Sequence, residues 1–163
     1  MTGGIAIVLI GVSGSGKTTV GTLLAKSIGC DFHDGDDYHP TENKQKMGNG
    51  IPLTDKDRWP WLKRLKELIT GSVADGKTIV LACSALQKNY RIYLWEDRVR
   101  FIYLKGDFEL FKKRIEGRKG HFFDPDLLSS QFEELEEPQM ALPVDAAKTP
   151  EQIVREIQDR LSL

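Results

Sequence analysis

The residues with the clearest chemical meaning form the octapeptide Gly11–Thr18, GVSGSGKT. It matches the pattern G-x-x-x-x-G-K-[ST], in which the glycines let successive backbone N–H groups turn toward one anion. In such a loop Lys17 reaches the β- and γ-phosphates of a nucleotide, and the Thr18 hydroxyl binds Mg²⁺. The candidate phosphate-binding residues are Gly11, Val12, Ser13, Gly14, Ser15, Gly16, Lys17 and Thr18.

An acidic string follows the second predicted strand and holds Asp34, Asp36 and Asp37. A carboxylate beside a phosphate site can orient an attacking hydroxyl group and accept its proton. Only one or two of these side chains can face the site, and a solvated acidic turn around Gly35 is the alternative. Asp37 fits a solvated or capping role best, so Asp34 and Asp36 are the candidates.

Three basic residues and one serine are candidates for contacts with a second substrate. Arg58 lies one turn into a predicted helix, where it could grip a carboxylate or phosphate, or be a surface arginine. Ser84 leaves the third predicted strand and could donate to a substrate oxygen. Lys88 and Arg91 are spaced to share a helix face, which could equally be a plain charged surface.

A later basic cluster contains Arg114, Arg118, Lys119 and His121 around a glycine-bearing loop. Phosphoryl transfer is helped by a cation near the γ-phosphate and by a loop that excludes water. The cluster therefore predicts a nucleotide contact and a mobile lid over about residues 118–124. A basic surface loop is the alternative, and His121 could be a half-buried structural histidine.

Strands and helices alternate along the chain, and this order predicts an α/β fold with a parallel sheet covered by helices on both faces. Ligands of such sheets bind beyond the carboxyl ends of the strands, where the clusters after the first three strands fall. The predicted strands are Ile5–Ile10, Cys30–His33, a segment starting at Thr78, Val99–Lys105 and Leu142–Asp145.

Composition narrows the class of protein. The chain has 163 residues, which fits one domain, and a net charge of −1, which argues against binding nucleic acid through bulk electrostatics. No stretch approaches the 18 apolar residues of a membrane span. Cys30 and Cys83 lie in apolar segments and indicate buried thiols in a reducing cytoplasm. A guanine-binding NKxD motif is absent, and so is an Asp-Glu pair ending an apolar run, so a small kinase is favoured over motors and GTPase switches.

The chain resembles the gluconokinases, P-loop small-molecule kinases related in architecture to shikimate and adenylate kinases. The glycine motif is generic, whereas the acidic segment and the last two stretches are more specific. The resemblance extends to about Pro138 and rests on GVSGSGKT, DGDDYHPTENKQKMGNGIPLTDKDRWPWL, LACSAL, KNYR, FIYLKGDFE, RKGHF and LLSSQFEELEEP.

This resemblance implies a three-layer P-loop fold with strand order 2-3-1-4-5, a substrate-binding region at about 36–70 and the lid. It implies that ATP and Mg²⁺ are used to convert D-gluconate to 6-phospho-D-gluconate, which would feed the pentose phosphate or Entner-Doudoroff route. A homodimer is also implied, since many gluconokinases are dimers.

Roles for individual residues follow from the parallel with shikimate kinases. Asp34 would hold Mg²⁺ through water, and Asp36 would bind the acceptor hydroxyl and act as base. Arg58 would grip the acceptor carboxylate, and Arg118 would lie near the nucleotide. Whether His39 and Gln131 touch the substrate is left open, although both are candidates.

The chain departs from shikimate kinases at two places. Cys83-Ser84-Ala85 stands where that family has a glycine triplet, and His121 or Phe122 stands where its lid arginine would be. Both differences favour gluconate over shikimate. The remaining alternatives are a kinase for another small acceptor, such as a nucleoside monophosphate, and a nucleotide-binding regulatory module without turnover.

Overall fold

The computed structural model describes residues 3–118 and 125–163. Its centre is a five-stranded sheet of order β2-β3-β1-β4-β5, and all neighbouring strands run parallel. The predicted α/β class and the strand order are therefore confirmed. The strands are β1 (Ala6–Ile10), β2 (Asp31–Asp34), β3 (Ile79–Ala82), β4 (Val99–Lys105) and β5 (Leu142–Asp145).

Helices connect the strands and cover both faces of the sheet. A 3₁₀ turn, Gly35–Tyr38, follows β2 and contains Asp36 and Asp37 of the acidic string. The helices are α1 (Lys17–Ile28), α2 (Thr41–Gly48), α3 (Asp55–Ala74), α4 (Lys88–Leu94), α5 (Phe108–Glu116), α6 (Pro125–Glu134) and α7 (Pro150–Leu161). In the described ranges, no helix combines the length and the apolar character needed to cross a membrane.

Strand β1 is buried along its whole length because both of its faces are covered. Ile7 and Leu9 point into a core shared with α1, α5, α6 and α7, whereas Ala6, Val8 and Ile10 pack with α3 and α4. This alternation with period two places the strand at the middle of three layers. The carboxyl end of β1 then opens directly into the glycine loop.

Local capping signals explain where several helices begin. Thr54 and Asp57 form a capping box at the start of α3, and Thr149 and Gln152 form another at the start of α7, where Pro150 follows the cap. Such caps satisfy backbone N–H groups that the first helical turn leaves free. The sequence predicts both starts, from Thr54 or Asp55 as a cap and from Thr149 followed by Pro150, and the structure confirms them.

The sequence predicts that the helix opened by Pro125 runs to about Glu137, but α6 ends at Glu134. The following residues bond instead to the loop after β3 and to α4. The backbone N–H of Glu136 donates to the Leu86 carbonyl at 2.9 Å, and the Glu136 carbonyl accepts from Arg91 at 2.7 Å. These non-helical contacts tie the end of α6 to the carboxyl edge of the sheet.

Candidate active site

The glycine loop joins β1 to α1 and takes a shape that only glycine adopts readily. Gly14 and Gly16 have φ values of 79° and 99°, in the left-handed region. A Cβ atom on Gly14 would also lie 2.9 Å from Ile115 Cγ1 and 3.0 Å from the Phe111 carbonyl oxygen. Both backbone shape and close packing therefore require glycine at position 14.

The Lys17 ammonium lies inside the loop, where it donates to the carbonyls of Gly11 at 2.8 Å and Val12 at 3.0 Å. Burial lowers the pKa of Lys17 to about 8, while the charges of Asp36 and Asp34 oppose this shift. The backbone of the loop therefore holds the lysine in position. Lys17 also interacts electrostatically with Asp34 and Asp36, the two carboxylates that the sequence indicates as candidates.

Gln131 reaches the same loop from α6, 118 positions away along the chain. Its Oε1 accepts from the Ser13 N–H at 2.7 Å, and its Nε2 donates to Ser13 Oγ at 2.9 Å. The sequence leaves open whether Gln131 touches the substrate, and the structure pairs it with Ser13 of the phosphate loop. Nearby Ser15 Oγ is buried and has no hydrogen-bond partner in the part of the chain that is described.

A cleft of about 310 Å³ opens beside the loop toward α7. Arg114 donates to the Ser15 carbonyl at 3.5 Å and also to the Ala146 carbonyl, so it joins the glycine loop to the segment after β5. Arg118 is exposed and borders the cleft. The lining residues are Gly14, Ser15, Gly16, Thr19, Val20, Arg114, Arg118, Ala146, Lys148, Pro150 and Ile153.

The acidic string begins at the carboxyl end of β2, and its first member has a structural task. Asp34 Oδ1 accepts from the Asp36 N–H at 3.0 Å and caps the 3₁₀ turn. Desolvation, together with the charge of Asp34, raises the pKa of Asp36, although Lys17 opposes the rise. A raised pKa makes Asp36 a better proton acceptor than an ordinary aspartate. Asp36 and Asp37 are both exposed, so exposure does not separate their roles.

Aromatic packing fixes this segment on α3. Trp61 Nε1 donates to the Gly35 carbonyl at 2.7 Å, and its ring stacks on His39 with centroids 4.3 Å apart. His39 Nδ1 accepts from Asn43 at 3.1 Å, and burial lowers the His39 pKa to about 4. His39 is therefore a neutral, buried support for the acidic segment, and its contact with substrate stays a prediction.

Arg58 has partners on two sides. Its Nη1 donates to the Tyr90 hydroxyl at 3.2 Å, and its Nη2 donates to Glu134 at 3.3 Å. The Tyr90 hydroxyl in turn donates to Asp55. This arrangement brings α3, α4 and α6 together at one guanidinium group.

The loop after β3 separates the residues that its sequence seemed to group. Ser84 is half-buried beside the glycine loop, and its carbonyl accepts from the Gly11 N–H at 3.4 Å. Arg91 is buried and donates to the Ala85 and Leu86 carbonyls at 2.8 and 2.9 Å. Lys88 is exposed. The expected common basic face of Lys88 and Arg91 is wrong, because Arg91 points inward to backbone carbonyls.

Comparison with known proteins decides the family. The family model described as shikimate kinase matches residues 13–162. A probable gluconokinase from Xenopus tropicalis is 44% identical, over 93% of this chain and 90% of its own. The thermoresistant gluconokinase of Escherichia coli K12 is 47% identical, over 80% of this chain and 76% of its own. The chain belongs to the gluconokinase family.

A solved structure supports the same assignment to the gluconokinase family. The crystal structure of a gluconokinase from Sinorhizobium meliloti 1021 is 41% identical, with a TM-score of 0.88. The superposition covers 99% of this chain and 93% of that one. Membership of this family makes the chain a kinase with a nucleotide-binding P-loop, and it identifies the glycine loop as the nucleotide side of the site.

The gluconokinase lid expected over residues 118–124 lies almost entirely outside the described residues, and so does His121. What can be placed is its edge. Arg118 borders the cleft at the end of α5 and interacts electrostatically with Lys17, whose pKa it lowers. The predicted roles of the lid and of His121 stay predictions.

Sequence reasoning missed several residues that build this gluconokinase site. Tyr90 stands between Lys88 and Arg91, Asp55 is the first residue of α3, and Glu134 is one glutamate in an acidic run, so none of the three carries a motif of its own. Lys148 and Ala146 follow the weakest predicted strand. A usable signal existed for these last two, because the segment after β5 also lies at the carboxyl edge of a parallel sheet.

Proposed function

We propose that this kinase transfers the γ-phosphoryl group of ATP to D-gluconate, forming ADP and 6-phospho-D-gluconate. The observation that carries this proposal is the position of Lys17, which is held in the glycine loop and interacts with Asp36 and Asp34. Lys17 therefore interacts both with the phosphate-binding loop and with the carboxylates of the proposed acceptor site. The names of the relatives supply the acceptor.

On the nucleotide side, the backbone N–H groups of the loop and the N-terminus of α1 bind the phosphates, and Lys17 neutralises their charge. Arg114 and Arg118 border the cleft that would take the rest of the nucleotide. Phosphoryl transfer needs little covalent participation by the protein. Most of the rate enhancement therefore comes from positioning the two substrates and neutralising the phosphate charge.

On the acceptor side, Asp36 orients the attacking hydroxyl group and accepts its proton, which its raised pKa favours. Arg58 binds the gluconate carboxylate, since a guanidinium group matches a carboxylate through paired N–H donors. Further contacts with the acceptor are proposed for His39, Ser84, Lys88 and His121. For Arg91 and Gln131, which bond to the Ala85 carbonyl and to Ser13, we propose a supporting role instead.

The residues present suit Mg²⁺, which prefers oxygen ligands. Thr18 is exposed at the start of α1, and Asp34 accepts the capping hydrogen bond through Oδ1. These two residues would hold the ion directly or through water. Mg²⁺ supplies neutralisation of phosphate charge when it is bound.

We further infer that the chain works as one domain, with a substrate-binding region at about 36–70 and a lid at about 118–124, in a cytoplasmic homodimer. Both cysteines, Cys30 and Cys83, are free thiols, which suits a reducing compartment. The dimer rests on the resemblance to other gluconokinases.

The test is ADP release from Mg²⁺ and ATP, measured in parallel with D-gluconate, shikimate, AMP and no acceptor. A large rate that depends on gluconate is expected, with little release in the other three reactions. Equal and slow release in all four would contradict the proposed acceptor and leave a nucleotide-binding protein without transfer activity.

A further inference from the structure

The two sides of the Arg58 guanidinium are held very differently. Tyr90 holds one side through its hydroxyl and through its ring, whose centroid lies 5.8 Å from the guanidinium carbon. Tyr90 is 2% exposed and its hydroxyl also donates to Asp55, so this side is fixed by packing. The other side meets the Glu134 carboxylate at 3.3 Å.

Glu134 is much easier to displace than Tyr90. Its side chain keeps 33% of its surface exposed, and an ion pair with that much solvent access contributes little stability. Glu134 is also the last residue of α6, where the helix dipole disfavours a negative charge. It is therefore held at Arg58 chiefly by the attraction of opposite charges, and a second anion can compete for that attraction.

The gluconate carboxylate is the same chemical group as the side chain of Glu134. We propose that Glu134 occupies the carboxylate position on Arg58 in the empty enzyme, and that the carboxylate of the acceptor displaces it on binding. This inference rests on the proposed function, in which Arg58 binds an anionic acceptor. Tyr90 keeps the guanidinium in place during the exchange.

Such an exchange favours anionic acceptors. An acceptor with a carboxylate replaces the partner that Arg58 loses, so the guanidinium remains paired throughout. A neutral polyol that displaced Glu134 would leave a half-buried charge without an anion, which is unfavourable. Glu134 therefore acts as an internal competitor that selects for a carboxylate.

The opposite possibility is that Glu134 stays on Arg58 and orients it for the acceptor. The two arrangements predict changes of opposite sign when the charge of Glu134 is removed. Loss of a competitor lowers the KM for gluconate, whereas loss of an orienting partner raises it. Simple structural damage also raises KM, so a decrease is diagnostic.

The experiment compares Glu134→Gln with Glu133→Gln, which removes the same charge from the exposed neighbouring residue. The KM for gluconate, kcat and the melting temperature are measured at saturating Mg²⁺ and ATP. We expect Glu134→Gln to lower the KM about two- to fivefold, the range that corresponds to loss of a partly exposed ion pair. Its kcat should stay within about twofold of wild type, and Glu133→Gln should leave KM unchanged.

A raised KM in Glu134→Gln, or a KM equal to that of Glu133→Gln, would overturn the inference. If Glu134→Gln lowers the melting temperature strongly, Glu134→Asp takes its place. Aspartate keeps the charge but is one methylene shorter, so we expect a smaller decrease in the KM for gluconate. An unchanged or higher KM would again overturn the inference. Failure of the wild-type enzyme to phosphorylate gluconate would instead contradict the proposed function.

Discussion

The phosphate loop is held through its own backbone groups, which Lys17, Gln131 and Arg114 bind, whereas the acceptor side is held mainly through pairs of side chains from separate elements. Lys17 binds carbonyls of its own loop, and Gly11 pairs with the Ser84 carbonyl. On the acceptor side, Trp61 anchors the acidic segment, and Arg58 lies between Tyr90 and Glu134. The first region is fixed before a ligand arrives, and the second contains partners that a ligand can replace.

This contrast has a consequence for substitutions. A backbone-held loop depends on its glycines and on one lysine, so few single changes alter it without abolishing function. The acceptor side depends on side-chain pairs, so single changes can tune it in either direction. Substrate preference within the family can therefore change at the acceptor side while the phosphate loop stays the same.

Of the substitutions considered, Lys17→Ala should lower turnover most, because it acts on the phosphate side of the site. The substitution removes the cation that neutralises charge on the transferred group, and kcat should fall by about 100-fold or more. Thermal melting should change little, because the two hydrogen bonds that the ammonium makes with described residues both lie within the loop. Near-normal turnover in this variant would contradict the assignment of the phosphate site.

Asp36→Asn should impair phosphorylation of the acceptor and leave nucleotide binding nearly unchanged. It removes the proton acceptor, and kcat with gluconate should fall by about 100-fold. The dissociation constant of a non-hydrolysable ATP analogue, measured by calorimetry, should stay within a factor of about two. Equal losses of turnover and of nucleotide binding would count against a role confined to the acceptor.

The pH dependence should separate the two sides. Because the Lys17 pKa is about 8, the group is cationic below that pH and becomes neutral above it. The kcat/KM for ATP should therefore fall as pH rises through 8, by about tenfold at one unit above the pKa. Arg58 stays charged over this range, so the affinity for gluconate, measured by calorimetry in the absence of nucleotide, should stay constant.

The profile is recorded from pH 6 to 10 in buffers of constant ionic strength. Two results would contradict this explanation: a kcat/KM for ATP that is flat to pH 10, or a parallel weakening of gluconate binding. The first would mean that Lys17 keeps its proton, and the second would mean that a group outside the phosphate loop titrates.

Gln131→Ala should change activity less than the substitutions above. It tests whether a side chain that supports the phosphate loop affects the nucleotide side alone. Loss of its two hydrogen bonds to Ser13 loosens the loop, and the KM for ATP should rise about three- to tenfold. Ser130→Ala, at an exposed position on the same helix, is the control and should match wild type. A KM for gluconate that rises as much as the KM for ATP would place Gln131 on the acceptor side instead.

Much of the fold could be predicted because its signals are local. The start of α1 follows from the glycine motif and that of α3 from its capping residues. The bounds of β4 and β5 follow from the residue types within a few positions. The end of α6 could not be predicted, because the contacts that stop it come from Leu86 and Arg91, far away in the sequence.

The same distinction applies to the site. The position of Lys17 follows from a contiguous motif, and Asp36 follows from its place after a strand. The pairing of Gln131 with Ser13 spans 118 positions, and that of Arg58 with Glu134 spans 76. The inward position of Arg91 could not be predicted, because helical spacing places a residue on a helix face but does not show which backbone carbonyls lie near that face.

Phosphorus NMR of the wild-type enzyme with Mg²⁺, ATP and D-gluconate tests the central claim most directly. We expect a new phosphomonoester signal that grows in equal amount with ADP, and neither Lys17→Ala nor Asp36→Asn should produce it at a comparable rate. Formation of inorganic phosphate in place of the phosphomonoester, or ADP formation that does not depend on gluconate, would contradict the claim that the phosphate and acceptor sites meet at Lys17 to transfer a phosphoryl group.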